Sequence, residues 1–372
     1  MSVRVLKFGG TSMGTYETWK GILDIISSYE NPMLVVSATS KTTNSLELAA
    51  TYARNGEIGE AREISSQVRE RHKQLIKDFW GHYVADGSDA GNKLFNHAHK
   101  HIDEMVDHLE NYLLGVHTLG ELTWKSKDAI YSLGEQISSY LLALAGQALG
   151  YDTKWVDAGK VIKTDEVYGK ATPNRNRIQE SAELLDYILE RGSIPIMGGY
   201  YGNAPDGTIT TLGRGGSDYS AALAAAAIDA DALEIWTDVS GMYTSDPRVV
   251  DDARPIQKLS YQEAAELAYF GARVLHPATI EPVVTKHIPV LIKNTFEPGQ
   301  PGSVIATLEE EEDERNVIAV ASREPISIIT INSSRMLMAH GFLAKVFHIF
   351  DKYRVSVDVV TTSEVSVSVT VD

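Results

Sequence analysis

The chain has 372 residues, more than one hydrophobic core usually holds, and this length predicts two domains. Its composition, 43% hydrophobic and 23% charged, is typical of an ordinary folded protein and argues against a fibrous or disordered one. A net charge of −16 argues against nucleic acid as a partner, and the lack of cysteine excludes disulfides, thiolate catalysis and cysteine-bound zinc. We expect a cytoplasmic protein with no membrane partner, because no apolar run approaches ~18 residues and residues 1–10 contain no apolar signal segment.

The first two predicted strands both end in polar loops. Residues 3–8 form a strand by their apolar and β-branched content and run into residues 9–12 (GGTS). A strand, a glycine pair and a hydroxyl at a helix cap are typical of a phosphate cradle, although an ordinary strand-to-helix turn shares these features. Lys7 lies at the end of this strand, in an order that differs from the P-loop. Residues 33–36 form a second strand, and the polar loop 37–44 after it is either a ligand-binding loop or a capped helix start.

The next segment, residues 58–114, has two helical apolar stripes and carries His97, His99, His101 and His108. His97 and His101 have the i,i+4 spacing that zinc can use, but no carboxylate-flanked H-E-x-x-H pattern accompanies them. We interpret these histidines as a solvated helix face and assign no metal ligand from the protein.

Further along, strands alternate with helical segments. A helix over residues 137–149 begins just after Glu135, whose carboxylate is either a helix-dipole partner or a ligand for a substrate ammonium. The predicted strands are residues 153–156, 194–197, 233–236 and 290–293. This alternation predicts an α/β fold with a mostly parallel open sheet that is sandwiched by helices.

A glycine-rich stretch, residues 208–219, is the segment most typical of a binding site. Gly213, Gly215 and Gly216 stand where a loop turns into an alanine-rich helix, so backbone N–H groups and the helix dipole can face an anion. Arg214 adds a planar fork that suits a carboxylate or a phosphate. The alternative is a solvated loop whose arginine covers a helix end.

A third polar loop, residues 236–247, follows another of these strands. It carries Asp238 and Tyr243, and Arg248 lies just beyond it. An aromatic ring, an acid and a base suit an adenine ring, a Mg²⁺ shell and a phosphate, although each residue type is also common in turns.

The clearest boundary in the chain is a Pro/Gly-rich segment followed by the acidic run 309–314, which we interpret as a solvated linker. We therefore expect one domain over residues 1–305, a linker over 306–325 and a small α+β domain over 326–372.

The small domain has predicted strands at 326–331, 356–360 and 365–371 and a helix at 341–353. These elements are half of a ferredoxin-like unit, which is therefore incomplete. Its uncovered edge and face predict homo-oligomerisation through the C-terminal region.

Five segments, in this order along the chain, resemble aspartate kinase: residues 7–12 (KFGGTS), 211–218 (TLGRGGSD), 236–243 (WTDVSGMY), 270–277 (FGARVLHP) and 361–367 (TTSEVSV). The resemblance implies an amino-acid-kinase fold followed by an ACT regulatory module that is incomplete. It also implies ATP-dependent phosphorylation of the β-carboxylate of L-aspartate to 4-phospho-L-aspartate, with Mg²⁺ as cofactor. This reaction is the first step of the aspartate-derived pathway to lysine, threonine and methionine.

The resemblance assigns roles residue by residue. It implies catalytic roles for Lys7, Asp218 and Arg273; aspartate binding by Thr43, Glu135, Arg214 and Ser217; and nucleotide binding by Lys7, Gly9, Gly10, Ser12, Thr237, Asp238, Tyr243 and Arg248. The family usually has lysine where this chain has Arg273, which keeps the positive charge but changes its shape.

A lysine or threonine effector is implied by a last group of positions. They match residues that bind the inhibitory amino acid in lysine-sensitive members: Met336, Gly341, Phe342, Leu343, Asp358 and Glu364. Two alternatives stay open: a kinase of the same fold that acts on another acceptor such as glutamate, and a non-catalytic amino-acid-binding protein. One extra methylene in the acceptor would shift its reacting carboxylate by about 1.5 Å, which separates the two kinases.

Overall fold

The computed structural model describes residues 2–84, 89–270, 275, 280–307, 317–322, 326–336, 340–353 and 355–371. The chain divides into two compact units, Met1–Val320 and Ala321–Asp372. The division falls within the predicted linker, but Ile318 and Ala319 pack on the core of the first unit. The domain limits at 305 and 326 stay a prediction.

The first unit is built from short strands and longer helices. Its strands are β1 Arg4–Phe8, β2 Pro32–Val36, β3 Thr153–Val156, β4 Ile194–Gly198, β5 Tyr201–Asn203, β6 Ile209–Thr211, β7 Ala232–Thr237, β8 Met242–Tyr243, β9 Pro255–Ile256, β10 Lys258–Leu259, β11 Val290–Asn294 and β12 Ser303–Ile305. Its helices are α1 Tyr16–Ile26, α2 Thr42–Arg54, α3 Ile58–Tyr83, α4 Asp89–Leu119, α5 Trp124–Tyr131, α6 Leu133–Ala148, α7 Ala158–Val161, α8 Arg175–Ser181, α9 Glu183–Leu189, α10 Gly216–Ala227, α11 Tyr261–Phe270 and α12 Glu281–Thr285.

An eight-stranded sheet in the order β10-β12-β11-β7-β1-β2-β4-β3 organises this unit. The six strands from β11 to β3 run parallel to their neighbours. At the other edge β12 runs antiparallel to β11, and β10 runs parallel to β12. The predicted α/β fold with a mostly parallel sheet is confirmed. Because β1 is central, the loop after it is flanked by loops from both sides.

The alternation of side chains along β1 explains why the sheet is covered on both faces. Leu6 and Phe8 belong to one core, which is packed with side chains of α1, α3, α4 and α6. Val5 belongs to the other core, with the alanines of α10. Since successive strand residues point to opposite faces, Lys7 lies on the α10 side. Lys7, the one cation among the buried residues 5–8 of β1, therefore points towards α10.

Of the predicted histidine face, two members are partly buried: His99 lies against Phe95, with 4.4 Å between ring centroids, and His101 lies in an aromatic cluster. The ring of His101 stacks on Tyr140 of α6 at 3.9 Å between centroids and meets the edge of Trp155. Burial lowers its pKa to about 4. The interpretation of a solvated face is wrong for His101, because α4 packs directly on α6, whereas His97 and His108 are exposed. No cluster of His, Cys, Asp or Glu that could hold a metal ion occurs among the described residues.

The second unit contains β13 Ser327–Asn332, a 3₁₀ turn Ser334–Met336, α13 Phe342–Lys352, β14 Val360–Thr362 and β15 Ser366–Val371. The sheet order is β13-β15-β14, with both pairs antiparallel. Three valines of β15 are buried and pack on α13 through Phe342, Phe347 and Phe350.

The predicted strand over residues 356–360 is wrong in its position, because regular pairing starts only at Val360. Just before it, Asp358 and Val359 both pair with Thr370: the N–H of Asp358 donates to Thr370 O, and the N–H of Thr370 donates to Val359 O, each at 3.0 Å. Two residues opposite one form a bulge, and the N–H of Val359 donates to the side-chain hydroxyl of Thr370 instead.

In the parts of the chain that the structure describes, no helix combines the length and apolar composition that crossing a bilayer requires.

We expect Gly198→Ala to destabilise the protein. A Cβ on Gly198, the last residue of β4, would lie 2.9 Å from the backbone oxygen of Glu135 in α6. Backbone cannot move aside as a flexible side chain can, so the cost is about 1–3 kcal/mol. Urea unfolding measures it.

The matched control is Gly115→Ala, at an exposed position near the C-terminal end of α4. No described atom lies within 4 Å of a Cβ there. This variant should be more stable than wild type by about 0.5–1 kcal/mol, because alanine loses less backbone entropy in a helix. A Gly198→Ala protein as stable as wild type would contradict the close packing of β4 on α6.

Candidate active site

The carboxyl ends of the parallel strands bring several loops to one edge of the sheet. Backbone hydrogen bonds join neighbouring loops: Gly9 N–H to Trp236 O (3.2 Å), Ser37 N–H to Phe8 O (3.1 Å), Gly199 N–H to Val36 O (2.9 Å) and Thr295 N–H to Thr237 O (2.8 Å). Ligands bind at this edge in open α/β sheets. Candidate residues from distant parts of the sequence therefore share one surface.

An ion pair between β1 and α10 lies at the centre of this edge. Lys7 Nζ is 2.7 Å from Asp218 Oδ1, and the two side chains are only 11% and 14% exposed. The contact is close, but Oδ1 has no aligned hydrogen-bond partner among the described residues. Asp218 stands in the first turn of α10, where the helix dipole favours a negative charge. The structure thus brings Lys7 and Asp218 into contact, and their catalytic roles stay a prediction.

Glu135 is a buried carboxylate in the first turn of α6, 4% exposed. Burial raises its pKa to about 8, against the opposing effects of the N–H groups of Ala38 and Glu135 itself and the charge of Lys7. Its Oε2 has no hydrogen-bond partner within the described part of the chain. A buried, unpartnered carboxylate oxygen is unfavourable unless a ligand satisfies it.

Close backbone contacts bring the start of α10 against the end of β4. A Cβ on Gly199 would lie 2.6 Å from Cα of Ser217, and one on Gly216 would lie 2.8 Å from the ring of Tyr200. Tyr200 has a positive φ of 73°, and its N–H donates to the hydroxyl of Ser220 at 3.0 Å. Ser217 is thus held close to the end of β4.

Arg214 lies in the loop between β6 and α10 and is exposed. Among the described residues, none forms an ion pair with its guanidinium. Thr43 is in the first turn of α2 and is partly buried. Arg273 lies outside the described residues.

The predicted nucleotide residues differ in how available they are. The hydroxyl of Ser12 is buried and bonds to that of Thr295 at 2.7 Å. Thr237 donates to Asp238 at 3.2 Å, and Asp238 is exposed at the end of β7. Gly9 and Gly10 form the turn after β1, in which both carbonyls accept from the N–H of Met13.

Two further nucleotide candidates lie in or near the β8-β9 hairpin. Tyr243 is partly buried in β8. Arg248 binds Asp246 through two hydrogen bonds, Nε at 3.0 Å and Nη2 at 2.7 Å. The guanidinium of Arg248 is thus paired with Asp246 and forms no described contact with Lys7 or Asp218.

The six predicted regulatory positions all belong to the second unit. Met336 ends the 3₁₀ turn and packs on the valines of β15, Gly341 caps α13 with φ 73°, and Phe342 and Leu343 begin that helix. Asp358 precedes β14, and Glu364 is exposed between β14 and β15.

Sequence reasoning missed Asp128, which lies in α5 and anchors the end of β6. Its carboxylate in α5 accepts from the N–H of Gly169 (2.8 Å), the N–H of Thr211 (3.0 Å) and the hydroxyl of Thr211 (2.6 Å). Burial raises its pKa, while these hydrogen bonds lower it. Asp128 thus fixes β6 just before Arg214. No local pattern in the sequence signals this role.

Thr295 was also missed, although a signal was present. It follows β11 directly, at the same edge as the loops after β1 and β2, and is buried. The rule that selected residues 37–44 would have selected it.

Comparison with known proteins places this geometry in a family. Residues 2–294 match the model of the amino acid kinase family. Lysine-sensitive aspartokinase 3 of Escherichia coli K12 is 34% identical over 374 residues, which cover 99% of this chain and 78% of that protein. The chain belongs to the aspartokinases. Aspartokinase 1, chloroplastic, of Arabidopsis thaliana is 35% identical, and there this aspartokinase chain spans only 63% of the relative.

Two solved structures of E. coli aspartokinase III are similar to this aspartokinase. Each match covers the whole of this chain and 79% of the E. coli chain. The structure in complex with aspartate and ADP (R-state) has a TM-score of 0.84 at 34% identity. The structure in complex with lysine and aspartate (T-state) has a TM-score of 0.82 at 33% identity.

We expect Asp128→Asn to lower the free energy of unfolding by about 1–3 kcal/mol, because a neutral amide oxygen accepts the two N–H groups less strongly than a carboxylate does and the NH₂ cannot accept from the hydroxyl of Thr211. Urea unfolding followed by circular dichroism measures the change. Asp206→Asn is the control, since Asp206 accepts from Thr208 at an exposed turn. It should leave the unfolding midpoint unchanged. Equal midpoints for the two variants would contradict the anchoring role of Asp128.

Proposed function

We propose that this chain transfers the γ-phosphoryl group of ATP to the β-carboxylate of L-aspartate, giving 4-phospho-L-aspartate and ADP. The observation that carries the proposal is Glu135, a buried carboxylate with an unpartnered oxygen within electrostatic reach of Lys7. The E. coli structure with aspartate and ADP, 34% identical to this chain, supports it. The reaction would supply the pathway to lysine, threonine and methionine.

The acceptor subsite is proposed to consist of Glu135, Arg214, Thr43 and Ser217. Glu135 binds the substrate ammonium, which satisfies its open oxygen and compensates its burial. Arg214 is exposed and has no described ion-pair partner, so its fork can take one substrate carboxylate bidentately. The two hydroxyls complete the polar surface.

The phosphoryl subsite is proposed to be centred on Lys7. A carboxylate is already a nucleophile at neutral pH, so catalysis requires positioning and charge neutralisation without a general base. Lys7 exchanges Asp218 for the phosphoryl oxygens as these gain charge. The N–H groups of Gly9 and Gly10 and the cation of Arg273 are proposed to assist.

The nucleotide is proposed to lie along the loop after β7, with Thr237, Asp238, Tyr243 and Arg248 as contacts and Ser12 supporting the turn beneath it. Arg248 would exchange Asp246 for a phosphate. ATP is proposed to arrive as its Mg²⁺ complex, because Mg²⁺ is usually bound through one or two carboxylates together with substrate phosphates. Asp238, exposed at the end of β7, is the carboxylate available to such a complex.

Lysine or threonine is proposed as an effector that binds through Met336, Gly341, Phe342, Leu343, Asp358 and Glu364. The E. coli structure that holds lysine supports lysine as the first candidate. Homo-oligomerisation through the second unit and a cytoplasmic location stay predictions.

The direct test of function is ADP release with Mg·ATP, with hydroxylamine present to trap an acyl phosphate. We expect aspartate-dependent ADP and a hydroxamate, and much less of both with glutamate. The absence of aspartate-dependent product from folded protein would overturn the proposal, and a preference for glutamate would replace the acceptor. Lysine and threonine added to the same assay test the effector.

Arg214→Ala should raise KM for aspartate by about ten- to a hundredfold, the effect of losing a charged bidentate contact. KM for ATP should change little, because Arg214 is assigned to the acceptor alone. Arg62→Ala, at an exposed position of α3, is the control for removing one positive charge. Equal rises in both KM values would show that the assignment of Arg214 is wrong.

The raised pKa of Glu135 predicts a pH dependence of aspartate capture. With a pKa of about 8, free Glu135 is mostly protonated at pH 6.5 and must lose its proton to bind an ammonium. The kcat/KM for aspartate should therefore rise about tenfold per pH unit below pH 8 and then level off. The control is kcat/KM for ATP at saturating aspartate, which should lack this limb because the bound ammonium keeps Glu135 ionised. Parallel profiles for the two substrates would refute the role of Glu135.

A further inference from the structure

A chain of hydrogen bonds joins α3 to the loop after β2. Arg71 Nη2 donates to Thr42 Oγ1 at 2.6 Å, and Thr42 Oγ1 lies 2.6 Å from Thr39 Oγ1. Thr39 Oγ1 lies 2.9 Å from His72 Nε2, and His72 Nδ1 lies 2.8 Å from the carbonyl oxygen of Val68. The two threonines and the histidine are buried.

The two ends of the chain fix the position of every hydrogen in it. A guanidinium can only donate and a carbonyl oxygen can only accept. His72 therefore carries its hydrogen on Nδ1, and Nε2 accepts from the hydroxyl of Thr39. That hydroxyl in turn accepts from Thr42, which accepts from Arg71. All four hydrogen bonds point the same way, and the arrangement requires a neutral imidazole.

The burial of His72 supports this arrangement. Burial and the nearby charge of Arg71 lower its pKa to about 4, although the bond to Val68 opposes the shift. A second hydrogen on Nε2 would turn the hydroxyl of Thr39 towards Thr42, whose own hydrogen would then lose its acceptor. The imidazole thus acts as a fixed acceptor.

The loop after β2, which these hydrogen bonds hold, contacts the acceptor subsite directly. The N–H of Ala38, the residue before Thr39, faces the carboxylate of Glu135 and lowers the pKa of that group. A Cβ on Gly134 would lie 2.8 Å from Cβ of Ala38 and 3.3 Å from Cγ2 of Thr42. The loop therefore rests on the first turn of α6, at the residue before Glu135.

The loop also contains a strained residue. Lys41, which precedes α2, has a positive φ of 65°, a conformation that a side chain disfavours. Such a conformation persists where surrounding contacts fix it. The hydrogen-bond chain on both sides of Lys41, at Thr39 and Thr42, supplies those contacts.

We propose that His72 is a positioning residue for the acceptor subsite: through Thr39 and Thr42 it holds the loop after β2 so that the N–H of Ala38 meets Glu135. This inference rests on the proposed function for its kinetic consequence. His72 itself does not face the substrate.

Thr39→Val tests the hydrogen-bond chain, because it removes the hydroxyl of Thr39 and keeps the shape of the side chain. We expect KM for aspartate to rise about tenfold or more and KM for ATP to rise severalfold less, since a buried partner is left unsatisfied. The loop packs most closely on α6, where a Cβ on Gly134 would lie 2.8 Å from Ala38, and less closely on the turn after β1, where a Cβ on Gly10 would lie 3.4 Å from the oxygen of Ala38. Thr39→Ser keeps the hydroxyl and should restore KM for aspartate to near the wild-type value. Equal rises in both KM values would overturn the proposal.

The matched control is Thr153→Val. The hydroxyl of Thr153 is also buried and donates to the carbonyl of Ala143, 2.6 Å away, near the other end of α6. This variant should lose a comparable amount of stability and keep both KM values. If it raises KM for aspartate as much as Thr39→Val does, the effect is general destabilisation and the proposal fails.

A second pair of variants tests His72 directly. The amide oxygen of His72→Gln can accept from Thr39, whereas His72→Leu cannot. We expect KM for aspartate to rise less with glutamine than with leucine. The reverse order, or equal values, would contradict the acceptor role.

Two measurements need no substrate and separate this proposal from the proposed function. Amide hydrogen exchange at Ala38 should be faster in Thr39→Val than in wild type or Thr153→Val. Nitrogen NMR of the wild-type imidazole at pH 7 should show a hydrogen on Nδ1 and none on Nε2, which requires no variant to fold. A protonated Nε2, or unchanged exchange at Ala38, overturns the positioning role. A wild-type protein without aspartate-dependent turnover overturns only the function.

Discussion

The burial of Glu135 near Lys7 is the interaction on which the rest of the site depends. A carboxylate that is 4% exposed is stable only if donors, a nearby cation or a proton compensate the loss of water. The central position of β1 supplies the cation, and the loop after β2 supplies an N–H group. The start of α10 supplies Asp218, which pairs with Lys7. The fold thus keeps three ionisable groups close together with little solvent.

The close approach of these elements depends on glycines as much as on the charged side chains. Gly134 lets the loop after β2 lie on α6, Gly198 lets β4 lie on α6, and Gly199 lets β4 meet α10. In each case the nearest atoms include backbone or Cβ atoms, which cannot yield without moving an element. Glycine at these three positions therefore sets the distances between the elements that carry Glu135 and Ser217.

The sequence predicts the parts of this arrangement that repeat locally. Alternating strands and helices predict the parallel sheet, and polar loops after strands predict Lys7 and Asp238 at one edge. Asp128, Thr39 and His72 are different, because each acquires its role from partners tens of residues away in the sequence. The aromatic environment of His101 likewise depends on α6, which no helical pattern in α4 reveals. Tertiary contact alone decides such roles.

The ion pair between Lys7 and Asp218 also makes it less favourable for a simple anion to bind Lys7. Any anion that approaches Lys7 must compete with a carboxylate that is already 2.7 Å away and largely shielded from solvent. A small inorganic anion offers one charge in exchange for another and gains little. A polyphosphate chain offers more, because it can contact backbone N–H groups at the same time. A ligand that binds at several points therefore competes better for Lys7 than an anion that binds at one point.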